Sequence, residues 1–186
     1  MNICVVGTGY VGLVTGAVFA DLGNDAICVD NVREKIEGLK QGRMPIYEPG
    51  LEEMVARNVA DGRLSFTTSL ADGVKRSEII FIAVGTPPKA NGETDLSAVE
   101  DGASGIARAM ESYKVIVNKS TVPVETGAWV DKPVRRVNKR AVPFEVVSNP
   151  EFLAEGSAVE DFLHPDRIVL GVSSPRAEKV MREVYA

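Results

Sequence analysis

The chain has 186 residues, a formal net charge of −5, and 45% hydrophobic and 25% charged residues, an ordinary globular composition with room for one well-buried domain, which excludes wholesale disorder. The acidic balance excludes nucleic acid as the main partner, since phosphate binding needs clustered Lys and Arg, and the small group Arg135, Arg136, Lys139 and Arg140 reads as a solvated helix end. No stretch reaches the ~18 apolar residues of a membrane span, so no membrane partner is expected.

In chain order the pattern is a short apolar run, a turn and an amphipathic stretch, repeated. Residues 3–6 predict a strand; Gly7 and Gly9 then break the run, which rules out a signal peptide. A helix follows over about residues 10–22, then a strand at 26–29 and a helix at 32–39. Residues 41–50 (QGRMPIYEPG) form a loop before a helix starting near Leu51. A weaker strand at 64–67 precedes a strong one at 79–84, whose end runs into the Pro- and Gly-rich loop TPPKANGET. Further on come a helix at 96–110, a strand at 115–117, a helix at 125–137 that Pro133 should kink or break, strands at 144–147 and 168–172, and a helix from Pro175. Strands alternating with helices imply a parallel sheet covered on both faces, because parallel neighbours need a crossover. The expected fold class is a doubly wound α/β domain.

Cys4 and Cys28 fall in strand candidates and are expected to be buried, reduced thiols of a cytosolic protein, neither in a loop fit for catalysis. His164, the one histidine, lacks ligand partners, so no metal is expected.

Gly7-Thr8-Gly9-Tyr10-Val11-Gly12 is a G-x-G-x-x-G that follows a strand and opens a helix, and Asp30 ends the next strand at a suitable distance. The glycines permit a tight turn, close backbone approach to a pyrophosphate, and tight helix packing. The helix N-terminus offers free N–H groups and partial positive charge. Asp30 can accept ribose hydroxyls and would repel a 2′-phosphate, so NAD is favoured over NADP. Lys35, from its spacing alone, reads as an exposed helix lysine.

Two further segments leave strands at the same sheet edge: Asn118-Lys119-Ser120-Thr121 and Ser148-Asn149-Pro150-Glu151-Phe152-Leu153-Ala154-Glu155. A helical turn would set Glu151 and Glu155 on one face. Such a pair can run acid–base chemistry; equally, Glu151 can favour a helix start while Glu155 is solvated. The sheet-edge position leans toward function.

Together VVGTGYVG, VDNVREKI, PIYEPGLE, FIAVGTPP, KSTVPV and NPEFLAEGSAVEDFLHPDRIVLG, in order over almost the whole chain, resemble the UDP-glucose 6-dehydrogenase family, within the UDP-glucose/GDP-mannose dehydrogenases. The resemblance implies a Rossmann-like NAD-binding domain over residues 1–186. Gly7, Thr8, Gly9, Tyr10, Val11 and Gly12 would bind the pyrophosphate and Asp30 the ribose, with Lys35 joining it, contrary to the spacing. Thr86 would line the nicotinamide side. Thr121 would stand beside the reacting centre, and Glu155 would reach cofactor and substrate. Glu151, Phe152, Leu153, Ala154 and Glu155 would form part of the sugar-nucleotide site, with Glu151 the acid–base carboxylate. Arg167 matches a family arginine to which no role is given.

The family reaction takes UDP-glucose, two NAD⁺ and water to UDP-glucuronate and two NADH, with a second-domain cysteine trapping the aldehyde as a thiohemiacetal and then a thioester. The resemblance places that domain and a connecting helix beyond residue 186. The chain as read is therefore expected to be a fragment that cannot complete turnover, from a cytoplasmic enzyme that is a homodimer at full length. Glu125 stands where the family usually carries glycine. Two alternatives stay open: a dehydrogenase of another nucleotide sugar, such as GDP-mannose or a UDP-N-acetylhexosamine, or a non-catalytic nucleotide-binding module.

Overall fold

A computed structural model describes residues 1–122 and 126–186. Residues 123–125, and so Glu125 and the end of KSTVPV, lie outside the described residues. The chain runs β1 (Asn2–Val6), α1 (Tyr10–Asp21), β2 (Asp25–Val29), α2 (Arg33–Lys40), α3 (Leu51–Ala60), β3 (Leu64–Thr67), α4 (Leu70–Arg76) and β4 (Ile79–Ile82). It continues with α5 (Ser97–Ala109), β5 (Lys114–Asn118), α6 (Thr126–Val137), β6 (Phe144–Ser148), α7 (Ala158–Leu163) and α8 (Pro175–Val184).

The six strands form one parallel sheet in the order β3-β2-β1-β4-β5-β6. The central runs are apolar throughout because a doubly covered parallel sheet has no wet face; Ile79 to Ile82 are all fully buried. Alternation divides the side chains between two layers. Val5, Cys28, Phe81 and Val117 pack under α1, α3, α7 and α8, while Cys4, Ile27, Ile80 and Ile116 pack under α4, α5 and α6. Cys4 and Cys28 are thus free, buried thiols on opposite faces. Strand order reverses between β1 and β4, and the crevice at their carboxyl ends is where such sheets bind ligands.

The structure corrects three expectations. Residues 168–172 are not a strand: only Gly171 bridges Ser148, antiparallel, before Ser174 caps α8 with its hydroxyl on Ala177 N–H. Ile168 and Val169 there are 39% and 42% exposed, so their β-branched character reflects no buried ladder. Pro133 does not end α6, which runs through it. Val130 and Val134 on either side are fully buried, and that packing outweighs the lost N–H. Third, β4 stops at Ile82, two residues short of the expected end; the Ala83 N–H makes a last bond to the Val6 carbonyl at 2.8 Å before the chain passes close to Gly7. Helices α4 and α7 were not anticipated; at seven and six residues they are too short to show a period.

Candidate functional site

The loop after β1 is shaped by contacts that only glycine allows. Gly7 has φ +105°, and a Cβ there would lie 2.4 Å from the Ala83 carbonyl oxygen; one on Gly12 would lie 2.0 Å from the Gly7 oxygen. Gly9 differs. It caps α1 in an extended conformation without a side-chain hydrogen bond, and a Cβ on it would meet nothing within 4 Å. The uncapped N–H groups of the first turn therefore sit beside an open cradle. It belongs to a groove of about 640 Å³ lined by Gly7, Gly9, Asp30, Val32, Lys35 and Gly85. An anionic diphosphate fits this arrangement of donors, dipole and space.

Asp30 lies at one end of the groove, 9% exposed. One carboxylate oxygen accepts the Thr8 N–H at 2.9 Å and the Thr8 hydroxyl at 2.7 Å; the other accepts the Val32 N–H at 2.9 Å. Burial pushes this carboxyl upward, but the bonds from Thr8 and Val32, with Lys35, outweigh it and hold the group below the usual carboxylate range. Lys35 Nζ is 3.9 Å from Asp30, so it stands beside that carboxylate rather than free on its helix.

Beyond β4 and β5 the Thr86 hydroxyl donates to the Thr121 carbonyl at 2.8 Å, and the Ser120 hydroxyl to the Val84 carbonyl at 2.8 Å. The two loops expected at the nicotinamide side are thereby joined. Past them a second cleft of about 240 Å³ opens, lined by Lys119, Glu151, Phe152, Leu153, Arg167 and Tyr185 among others. The Glu151 carboxylate accepts the Leu153 N–H, a local bond that competes with helix. Residues 151–154 are accordingly irregular. Glu151 lines the cleft, whereas Glu155 and Ala154 are exposed and do not, so the expected helical face carrying both carboxylates is not formed. Val11 packs on the core from its partly buried position.

Beside the clefts, two buried charges, Lys119 and Glu48, escaped sequence reasoning. Lys119, 4% exposed, directs Nζ to Asn149 Oδ1 at 3.2 Å and the Tyr185 hydroxyl at 3.4 Å, above the Phe162 ring. Burial brings its pKa down to about 8, against the pull of Glu151. Glu48, also 4% exposed, accepts the Tyr10 hydroxyl, the Gly156 N–H at 2.9 Å and the Ala158 N–H at 2.7 Å. The available signal was one acid inside the proline-flanked PIYEPG. Among the described residues there is no cluster of His, Cys, Asp and Glu able to hold a metal, and no helix long and apolar enough to cross a membrane.

Comparison with known proteins adds an independent line. The model of the UDP-glucose/GDP-mannose dehydrogenase family NAD binding domain matches residues 1–186. A UDP-glucose 6-dehydrogenase of Rhizobium meliloti is 53% identical over 188 residues, covering 100% of this chain and 43% of the relative. UDP-glucose dehydrogenase of Pyrobaculum islandicum superposes with TM-score 0.95 at 44% identity, over 98% of this chain and 43% of that one. GDP-mannose dehydrogenase of Pseudomonas aeruginosa gives 0.91 at 34% identity, over 100% and 44%. The chain thus spans well under half the length of the relatives it matches.

Proposed function

Because the chain belongs to the UDP-glucose/GDP-mannose dehydrogenase family, as its NAD-binding domain, we propose that it is the cofactor half of an enzyme oxidising the C6 alcohol of UDP-glucose to the carboxylate. The observation that carries the reading is the placing of the two clefts at one sheet edge, with Thr86 and Thr121 bonded in the region between. Relatives called UDP-glucose 6-dehydrogenase support the choice of sugar.

NAD⁺, when bound, supplies the acceptor for each hydride. Gly7 to Gly12 would hold its pyrophosphate with backbone N–H groups, and Asp30 with Lys35 would hold the adenosine ribose. Thr121 positions the reacting end. Glu151, kept in place by the Leu153 N–H, takes the proton of the C6 hydroxyl as carbon–hydrogen cleavage proceeds. Phe152 and Leu153, which line the second cleft, shape the sugar-nucleotide side, while Ala154 and Glu155, on the exposed turn that follows, would meet the ligands from outside it. Cys4 and Cys28, buried within the sheet, cannot trap an aldehyde, so the reading requires a thiol from elsewhere in the whole protein. That protein is read as a cytoplasmic homodimer.

The test is turnover by the full-length protein with NAD⁺ and either UDP-glucose, GDP-mannose or UDP-N-acetylmannosamine. Two NADH per UDP-glucose, with the other sugars at least about tenfold poorer in kcat/KM, a difference of roughly 1.4 kcal/mol, is expected. A preference for GDP-mannose would transfer the assignment to the other branch of the family. NADH binding without turnover of any sugar would favour the non-catalytic module.

A further inference from the structure

Glu48 has no part in the proposed reaction, yet it touches both ligand loops. It comes from the segment between α2 and α3. One of its oxygens accepts hydrogen bonds from the Tyr10 hydroxyl and from the Gly156 N–H at 2.9 Å; the other accepts the Ala158 N–H at 2.7 Å. Tyr10 is the residue of the phosphate loop that opens α1, while Gly156 and Ala158 close the segment carrying Glu151. The Tyr10 hydroxyl also receives the Gly156 N–H at 3.1 Å, and the Ala154 carbonyl oxygen lies 3.0 Å from it. No ion pair involves Glu48 among the described residues, so its charge is met by these hydroxyl and amide donors.

We propose that Glu48 is a positioning residue that couples dinucleotide binding to sugar-nucleotide binding through Tyr10. A buried carboxylate cannot release its donors cheaply, because each loss leaves charge unsatisfied. Any adjustment of Gly9 and Tyr10 around a pyrophosphate must therefore be followed by residues 154–158, and movement of those residues around a sugar nucleotide is felt at Tyr10. By linkage, each ligand tightens the other by the same factor. The inference rests on reading residues 151–155 as the sugar-nucleotide loop.

The experiment uses the full-length protein with NADH and UDP-glucose, a pair that cannot exchange a hydride. NADH fluorescence is titrated without and with saturating UDP-glucose. The wild type is expected to bind NADH at least about fivefold more tightly with the sugar present, the lower end for linked sites. Tyr10→Phe removes one oxygen and leaves both amides on Glu48. It and Glu48→Gln should each bring the factor to within about twofold of unity while both ligands still bind singly, and the double variant should lose no more than either alone. A merely structural role would weaken both affinities and spare their ratio. A wild-type factor of one, or full coupling in Tyr10→Phe, overturns the proposal. Hydrogen exchange over residues 151–158 separates the two ways of failing. If UDP-glucose does not slow it, the loop reading falls and the coupling with it; if exchange slows but both variants keep the factor, only the coupling falls.

Discussion

Thr8 supplies two of the three hydrogen bonds that Asp30 accepts, from its N–H at 2.9 Å and its hydroxyl at 2.7 Å. The carboxylate proposed to hold the ribose is thus tied to the glycine loop before any ligand arrives. A carboxylate offers about four lone-pair sites; Thr8 fills one oxygen and Val32 half of the other, so a ribose diol has to displace the Thr8 hydroxyl to make two bonds. Thr8→Val keeps the volume of a fully buried residue and removes only that hydroxyl. It should cost about 1–3 kcal/mol of stability and leave NADH affinity within about threefold of wild type, since about 0.7 kcal/mol covers that range. Asp30→Asn should weaken NADH at least about tenfold and narrow the gap to NADPH. Thermal melts and parallel fluorescence titrations measure both; NADH affinity falling equally in the two variants would mean the Thr8 hydroxyl stays in place with ligand bound.

The glycines of the loop separate stability from binding. Gly12→Ala drives a methyl onto the Gly7 carbonyl and should destabilise by about 1–3 kcal/mol or more. Gly9→Ala meets nothing and has an ordinary extended backbone. As alanine is a poorer N-cap than glycine, the loss of stability should be no more than about 1 kcal/mol. NADH affinity should nevertheless fall at least about tenfold, because the methyl occupies the open cradle. A Gly9→Ala protein that binds NADH normally would place the phosphates elsewhere.

Cys4 and Cys28 should resist alkylation in the native protein. Burial raises both thiols, Cys28 to about 12, so thiolate is scarce near neutral pH as well as inaccessible. Cys28 Sγ sits where a Cβ on Gly16 of α1 would be 2.3 Å away, and Cys4 Sγ faces Gly73 of α4. Mass spectrometry after iodoacetamide treatment should find neither modified until denaturant unfolds the sheet. Rapid labelling of one alone would reveal local opening of its helix.

What was legible in the sequence follows the range of the interactions. The strands from Ile3, Ala26 and Ile79 are unbroken apolar runs, and the glycine loop and Asp30 follow neighbouring strands, so the fold and the meeting of that loop with Asp30 could both be read. The run from Ile168 misled because it is β-branched yet exposed, and a single Gly171–Ser148 bridge is all it forms. The Glu151–Glu155 spacing misled because the Glu151 side chain turns back onto Leu153. Glu48 was invisible for a different reason: its partners Gly156 and Ala158 are 108 and 110 residues away, and no periodicity reports such a bond. Lys119 sits in a polar-looking NKST string, but burial by Phe162 and Tyr185 comes from later helices.

Lys119 gives the structure an alkaline signature. Its ammonium has neutral partners in Asn149 and Tyr185, with Glu151 the acid that acts on it and Asp161, His164, Asp166 and Arg167 lining the same cleft. Burial lowers its pKa from 10.5 to about 8. Below about 8 the group is charged in both folded and unfolded chains, and the folded protein bears the whole desolvation cost. Between about 8 and 10.5 the unfolded chain holds a proton that the folded one has released, so this residue's contribution to stability rises with pH across that window. A shift of this size corresponds to about 3 kcal/mol. Tyr185, itself raised by burial, stays protonated throughout. Lys119→Met removes the titration, so the stability of the variant relative to wild type should fall by about 3 kcal/mol from pH 8 to 10.5. Urea midpoints of both proteins at matched pH measure the difference. Parallel curves would mean that water or Glu151 keeps the buried ammonium charged at no net cost.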